Sequence, residues 1–207
     1  LAGKDIASAI ANPGFVYLFA QIAVVAPLAE ELAKPLVTLP LLGRLARRDA
    51  FLVGAMAGAG FAALENVLYA GFGHGFWAGI VAVRALGGAL HPLGAGLVSL
   101  GWRDVLRGEP NAWPKAAARF GIAAGMHAVW NGGCLLVITL AGARFFGQLP
   151  PEINVLGLSA AGTTMEFLVV LGLAALWMGR AVARGAGPTS AASPGEIAAE
   201  SADIQFT

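Results

Sequence analysis

Phe61-Ala62-Ala63-Leu64-Glu65-Asn66-Val67-Leu68-Tyr69 sits inside an apolar run from Phe51 to Phe72. About 20 such residues suffice to cross the hydrocarbon core of a bilayer, so the run reads as a membrane span. A carboxylate part-way along it is costly, faces protein or water rather than lipid, and marks function. Glu65 has company. Glu30, Glu31, Lys34, Arg84, His91 and His127 fall at similar depths in three neighbouring apolar runs. Several carboxylates and imidazoles at one depth of a membrane need a reason to be there.

Working outward, the composition agrees with a membrane chain. Of 207 residues, 57% are hydrophobic and 12% are charged, about half the charged share of a soluble domain. The 29 glycines fit helices that approach closely inside lipid. The expected fold is all-α, a polytopic transmembrane helical bundle. A net charge of +1 with no basic cluster excludes a nucleic-acid partner, which would need cations against its phosphates. Cys134 is the single cysteine, so no internal disulfide forms. Leu1 to Asn12 lacks the basic stretch, apolar core and small-residue cleavage site of a secretory leader.

Hydropathy draws five spans, at about residues 13–42, 51–72, 76–102, 116–143 and 155–178. Together they make a transmembrane domain over residues 1–180, followed by a disordered tail, 181–207, rich in Ala, Ser, Gly and Pro. Pro27, Pro35 and Pro40 are expected to bend or break the first span, and His91-Pro92 to interrupt the third. Arg44, Arg47, Arg48, Arg103, Arg107, Lys115, Arg119, Arg180 and Arg184 fall on one side, and only Lys4 and Arg144 on the other. The positive-inside rule then puts the N-terminus outside and the tail in the cytoplasm. Gly54-xxx-Gly58 and Gly121-xxx-Gly125 read as helix-packing faces.

Four groups could carry chemistry. In Glu30-Glu31-Leu32-Ala33-Lys34, the lysine can pair with either glutamate on a helix. One acid is left unneutralised, the environment of a general acid or base. Glu65 and Tyr69 share a face one turn apart, with Asn66 beside them. Arg84 and His91 share a face if their helix is regular, and the following proline would free backbone carbonyls there. His127 and Asn131, again one turn apart, offer two donors that would suit a developing oxyanion. Against these, a bland alternative stands each time: a neutralising ion pair, a Glu–Tyr hydrogen bond, a histidine on a freed carbonyl, an interhelical amide bond.

Other chemistries fall away. Cys134 lies two turns from His127, about 10.5 Å along the axis, too far for a thiolate–imidazole pair. Ser99 is as far from His91. His74 lies in an external, glycine-rich turn, and the fifth span offers only Glu166. Asp49 and Asp104 sit at span ends, which excludes an aspartyl dyad, and no His-Glu-x-x-His pattern occurs. What remains can activate a water by general-base catalysis. It can equally bind zinc through Glu65, His91 and His127, with or without Glu30 or Glu31 and with one position open to water. Residue types alone leave both open.

Glu30-Glu31-xx-Lys34, Phe61-xxx-Glu65-Asn66, His91 and His127-xxx-Asn131, in that order on successive spans, resemble the PrsW family of bacterial intramembrane proteases. That family is similar in turn to the CAAX prenyl protease and bacteriocin-processing superfamily. Glu65 stands where the wider superfamily has a histidine, which is how the PrsW branch looks. The resemblance covers Phe15 to about Leu140. It implies an intramembrane endopeptidase acting on a membrane-anchored protein, with site-one cleavage of an anti-sigma factor as the branch's reaction. By the same resemblance Glu30 and Glu31 activate the water, Glu65 and His91 share that role, and His127 with Asn131 polarises the carbonyl. From their positions beside these groups, Lys34, Asn66, Arg84 and Tyr69 are expected to support them, and the expected location is the bacterial cytoplasmic membrane. The residues alone also allow a proton-coupled transporter or an inactive protein that binds a partner's membrane helix. No pair of broken helices in related halves supports transport.

Overall fold

The computed structural model describes residues 11–72, 84–85, 87–145 and 151–185. Lys4, the turn that holds His74, and residues 186–207 of the expected tail lie outside them. Among the described residues all regular structure is helical. Four stretches are long and apolar enough to cross a membrane: Pro13–Val37, Arg47–Gly71, Ala112–Val137 and Gly162–Arg184. They correspond to the first, second, fourth and fifth expected spans. The third is described only in part, its first residues 76–83 lying outside the description and its second half forming the helix Leu90–Leu106.

The first span is a rod of four segments set end to end: α1 (Pro13–Ala20), a π turn (Gln21–Val25), α2 (Ala26–Ala33) and a 3-10 turn (Lys34–Val37). Asn12 starts it by accepting a hydrogen bond from Gly14 N at 2.9 Å, with Pro13 in the first position. The prolines act as expected. Pro27 opens α2, Pro35 opens the 3-10 turn, and Pro40 opens the short α3 (Leu39–Leu42), because proline cannot donate to the ladder of the preceding segment. Then come α4 (Arg47–Phe72), α5 (Leu90–Leu106), α6 (Ala112–Phe145) and α7 (Pro151–Gly185).

Two boundaries differ from the sequence reading. The interruption does not fall at His91-Pro92. Helix α5 starts at Leu90 from a cap at Ala89, so Pro92 lies in its first turn, where it breaks nothing. The turn is upstream, at Gly88, whose N–H bonds Ala85 O at 3.2 Å. Helix α7 continues to Gly185, past the expected end at Met178 and into the stretch read as tail.

Helix α5 is the hub. It packs on α4 and α6 along most of its length and also meets α7, and Leu42, Phe51, Leu90, Leu93, Leu100, Trp130 and Leu168 form the core around it. Glycine brings α4 and α5 together. A Cβ on Gly58 would press on the His91 carbonyl and lie 2.8 Å from Ala95 Cβ, and one on Gly54 would lie 2.8 Å from Ala95 O. That pair is a packing face, as read. A Cβ on Gly121 or Gly125 meets nothing within 4 Å among the described residues. The one-turn spacing of small residues shows that a helix could approach, not that one does.

At the end of the bundle that carries most of the basic residues, Asp104 is buried, with a 1% exposed side chain. It accepts from Arg47 Nη1 at 2.9 Å, Arg103 Nη1 at 2.8 Å and Arg119 Nη1 at 2.8 Å. Arg103 Nε also donates to Leu45 O at 3.2 Å, so one carboxylate ties the α3–α4 loop to α5 and α6. Burial pushes the Asp104 carboxyl up. The hydrogen bonds from Arg119 and Arg103 and the Arg47 charge outweigh it, leaving the carboxyl below the usual carboxylate range. A depressed folded-state pKa means stabilisation that is complete above the unfolded value of about 3.9 and is lost as pH falls through the folded value. Asp104→Asn is therefore expected to destabilise the protein by about 3 kcal/mol at neutral pH, as removal of one partner from a buried ionic cluster does. The wild-type melting midpoint in detergent should fall toward the variant's below about pH 4. Equal midpoints at pH 7 would show that the cluster contributes nothing.

Candidate active site

Helix α2 comes after the π turn and buries Pro27 and Glu31. Lys34, one turn on, has a fully buried side chain, 2.5 Å from Glu31 Oε1 and 3.7 Å from Glu30 Oε2. The expected Glu–Lys pairing is present, and it chooses Glu31. Glu31 Oε1 also lies 3.0 Å from His127 Nδ1 on α6. A carboxylate held by a lysine accepts, so Nδ1 is the donor of this bond and Nε2 is left for another partner. Gly94 on α5 leaves the space for this carboxylate, since a Cβ there would lie 2.7 Å from Glu31 Oε2.

A second carboxylate stands behind the other histidine. Glu65 Oε2, on α4, is 3.6 Å from His91 Nε2 and 2.7 Å from Arg84 Nη2. Arg84 is held in turn by Asn66 Oδ1, which accepts from its Nε at 2.6 Å, and by the Tyr69 ring 4.3 Å below its guanidinium. Tyr69 thus serves the site through Arg84 rather than by a bond to Glu65. Phe61 belongs to the centre too. It stacks on His91 at 6.1 Å and lies 4.9 Å below the Lys34 ammonium. Its spacing of one turn before Glu65 was the only sequence sign of that.

The two imidazoles meet edge to face, with centroids 4.9 Å apart. His91 Nδ1, His127 Nε2 and the Oε2 atoms of Glu30, Glu31 and Glu65 are buried without a hydrogen-bond partner among the described residues. Donor atoms of Glu30, His91 and His127 lie within 4.8 Å of one another. A tetrahedral zinc separates its donors by roughly 3.3 Å, a difference within reach of side-chain rotation. These residues fit a zinc ion, because their unpartnered atoms are the nitrogens turned away from the supporting carboxylates, as in carboxylate–histidine–metal centres. The charges agree. Glu30, Glu31 and Glu65 face Lys34 and Arg84, which leaves one negative charge for a cation or a proton to offset.

The geometry redistributes the candidate roles. The group of donor atoms that lies within 4.8 Å has Glu30 beside His91 and His127, while Glu65 lies 2.7 Å from Arg84 and 3.6 Å from His91. His127 and Asn131 do not aim at one point. The proton of His127 goes to Glu31, while Asn131 Nδ2 donates to Ile22 O in the π turn at 3.1 Å. Ser99 is buried at the α4–α5 contact, Cys134 packs against the core and Glu166 is exposed on α7.

A family model described as PrsW family intramembrane metalloprotease matches residues 4–161, which include every residue of this centre. No curated protein and no solved structure matches the chain.

Proposed function

The chain belongs to the PrsW family of intramembrane metalloproteases, and on that premise we propose how its centre hydrolyses a peptide bond of a membrane-anchored protein. One observation carries the reading: two buried histidines each have a carboxylate near one nitrogen and leave the other without a hydrogen-bond partner among the described residues, and donor atoms of both lie within 4.8 Å of one of Glu30. Glu30, His91 and His127 would hold the metal. When bound, zinc would polarise the scissile carbonyl and acidify a water.

The protein's own groups do the rest. Glu31 accepts from His127 Nδ1, and Lys34 fixes the Glu31 carboxylate in place. Glu65 orients His91, and Arg84, Asn66 and Tyr69 fix Glu65. Glu30 would lend the metal one carboxylate oxygen and keep the other for proton transfer, its nearest cation being Lys34 at 3.7 Å. We assign it the proton of the attacking water and the later delivery of that proton to the leaving amine. The basic end near Arg47 and Arg119 would face the cytoplasm. A membrane-anchored regulator such as an anti-sigma factor, cut at its first site, is the substrate we propose.

Metal content and cleavage of a membrane-anchored peptide in liposomes test this together. The expected result is about one zinc per chain, lost with activity in His91→Ala and in His127→Ala. Fully active protein without zinc would overturn the metal assignment and leave a glutamate-activated water. No cleavage by zinc-loaded protein of any membrane-anchored peptide would overturn the substrate class.

A further inference from the structure

The π turn in the first span has an unmet hydrogen-bonding need that plays no part in the chemistry of the active site. Within it the ladder runs i to i−5, and Ala26 N–H bonds Gln21 O. The next donor in that ladder would serve Ile22 O, and it would come from residue 27. Residue 27 is proline and has no N–H. Ile22 O therefore lacks its backbone partner, in an apolar span where no water takes its place. The side chain of Asn131 supplies the bond, Nδ2 to Ile22 O at 3.1 Å, from α6.

Asn131 stands one turn beyond His127 on that helix, and Pro27 opens the segment that carries Glu30 and Glu31. An extra residue in a helix rotates the downstream segment by about 100°. The π turn thus sets the phase between α1, which lies in lipid, and α2, which faces the histidines. Turns of this type cluster at functional sites.

We propose that Asn131 is a positioning residue. It closes the carbonyl that Pro27 leaves open, and through that bond holds the π turn at the phase that presents Glu30 and Glu31 to His127. In this role it touches neither substrate nor metal. The activity arm of the test rests on the proposed protease activity; the zinc arm does not.

Suppression separates this role from the others. Asn131→Leu removes the donor at similar volume. Pro27→Ala returns an N–H at the position where the i to i−5 ladder needs one. The full chain is measured in liposomes below the melting midpoint of each variant. In Asn131→Leu, kcat and zinc affinity are expected to fall together by about 10–100-fold, the usual effect of losing a group that orients ligands. In Pro27→Ala/Asn131→Leu both should return to within about tenfold of wild type. A fall in kcat with intact zinc affinity and no recovery in the double variant would overturn the proposal and make Asn131 a substrate contact. A lowered melting midpoint with unchanged kcat and zinc affinity would overturn it in favour of a purely structural bond. If Asn131→Leu does not accumulate, Asn131→Ser, whose hydroxyl is too short to reach, takes its place with the same outcomes. If the wild type cleaves nothing, the protease reading fails, and the zinc arm still decides the role of Asn131.

Discussion

Glu30→Gln is expected to lower peptide cleavage by about 10³-fold while the melting midpoint stays within a few degrees of wild type. The loss of rate comes from removing the group that moves a proton in the transition state, worth about 10²–10⁴. The retained stability comes from the position of Glu30. Its side chain is 21% exposed and its nearest cation is at 3.7 Å, so the amide leaves no buried charge unpaired. The neighbouring residue should behave oppositely. Glu31→Gln leaves the Lys34 ammonium, fully buried, without its 2.5 Å partner, at a cost of about 3–5 kcal/mol. Loss of rate without loss of fold at Glu30, and loss of fold at Glu31, is the expected pair of results. It can be read from single-turnover cleavage beside thermal unfolding in detergent. If the two substitutions behave alike, the division of labour between the adjacent glutamates is wrong.

Gly58→Val is expected to damage fold and activity together. Its Cβ would press on the His91 carbonyl and approach Ala95 Cβ to 2.8 Å. Neither is the yielding end of a flexible side chain, so α4 and α5 must separate. Overpacking of this kind costs about 1–3 kcal/mol, and here the displaced backbone carries a histidine of the centre. Cleavage should fall by more than the loss of folded protein explains, and zinc affinity with it. Gly121→Val is the control, because a Cβ there meets nothing within 4 Å among the described residues. Equal effects at the two glycines, measured by unfolding and by zinc titration, would show that α4–α5 contact does not position His91.

Much of this protein was legible in its sequence because the relevant physics is local. Membrane spans need only a run of apolar residues, and prolines restart a helix wherever they stand, as Pro27, Pro35 and Pro40 do. The Glu31–Lys34 pair needs only one helical turn, and the depth of Glu65, His91 and His127 comes from counting along each span. The PrsW resemblance rested on the same short patterns, and it held.

What the sequence could not settle is where side chains on different helices point. That depends on each helix's rotation about its axis and on how closely it approaches its neighbours. Close approach at Gly54 and Gly58 brings α4 against His91, while Gly121 and Gly125, which meet nothing within 4 Å among the described residues, have the same spacing in the sequence. Only the packing of α2 on α6 shows that a donor atom of Glu30 lies within 4.8 Å of donor atoms of both histidines. Asn131, one turn from His127, reaches back to Ile22 because Pro27 left that carbonyl open. Within one helix, spacing decides which residues share a face. Between helices, packing and unmet backbone bonds decide which atoms meet.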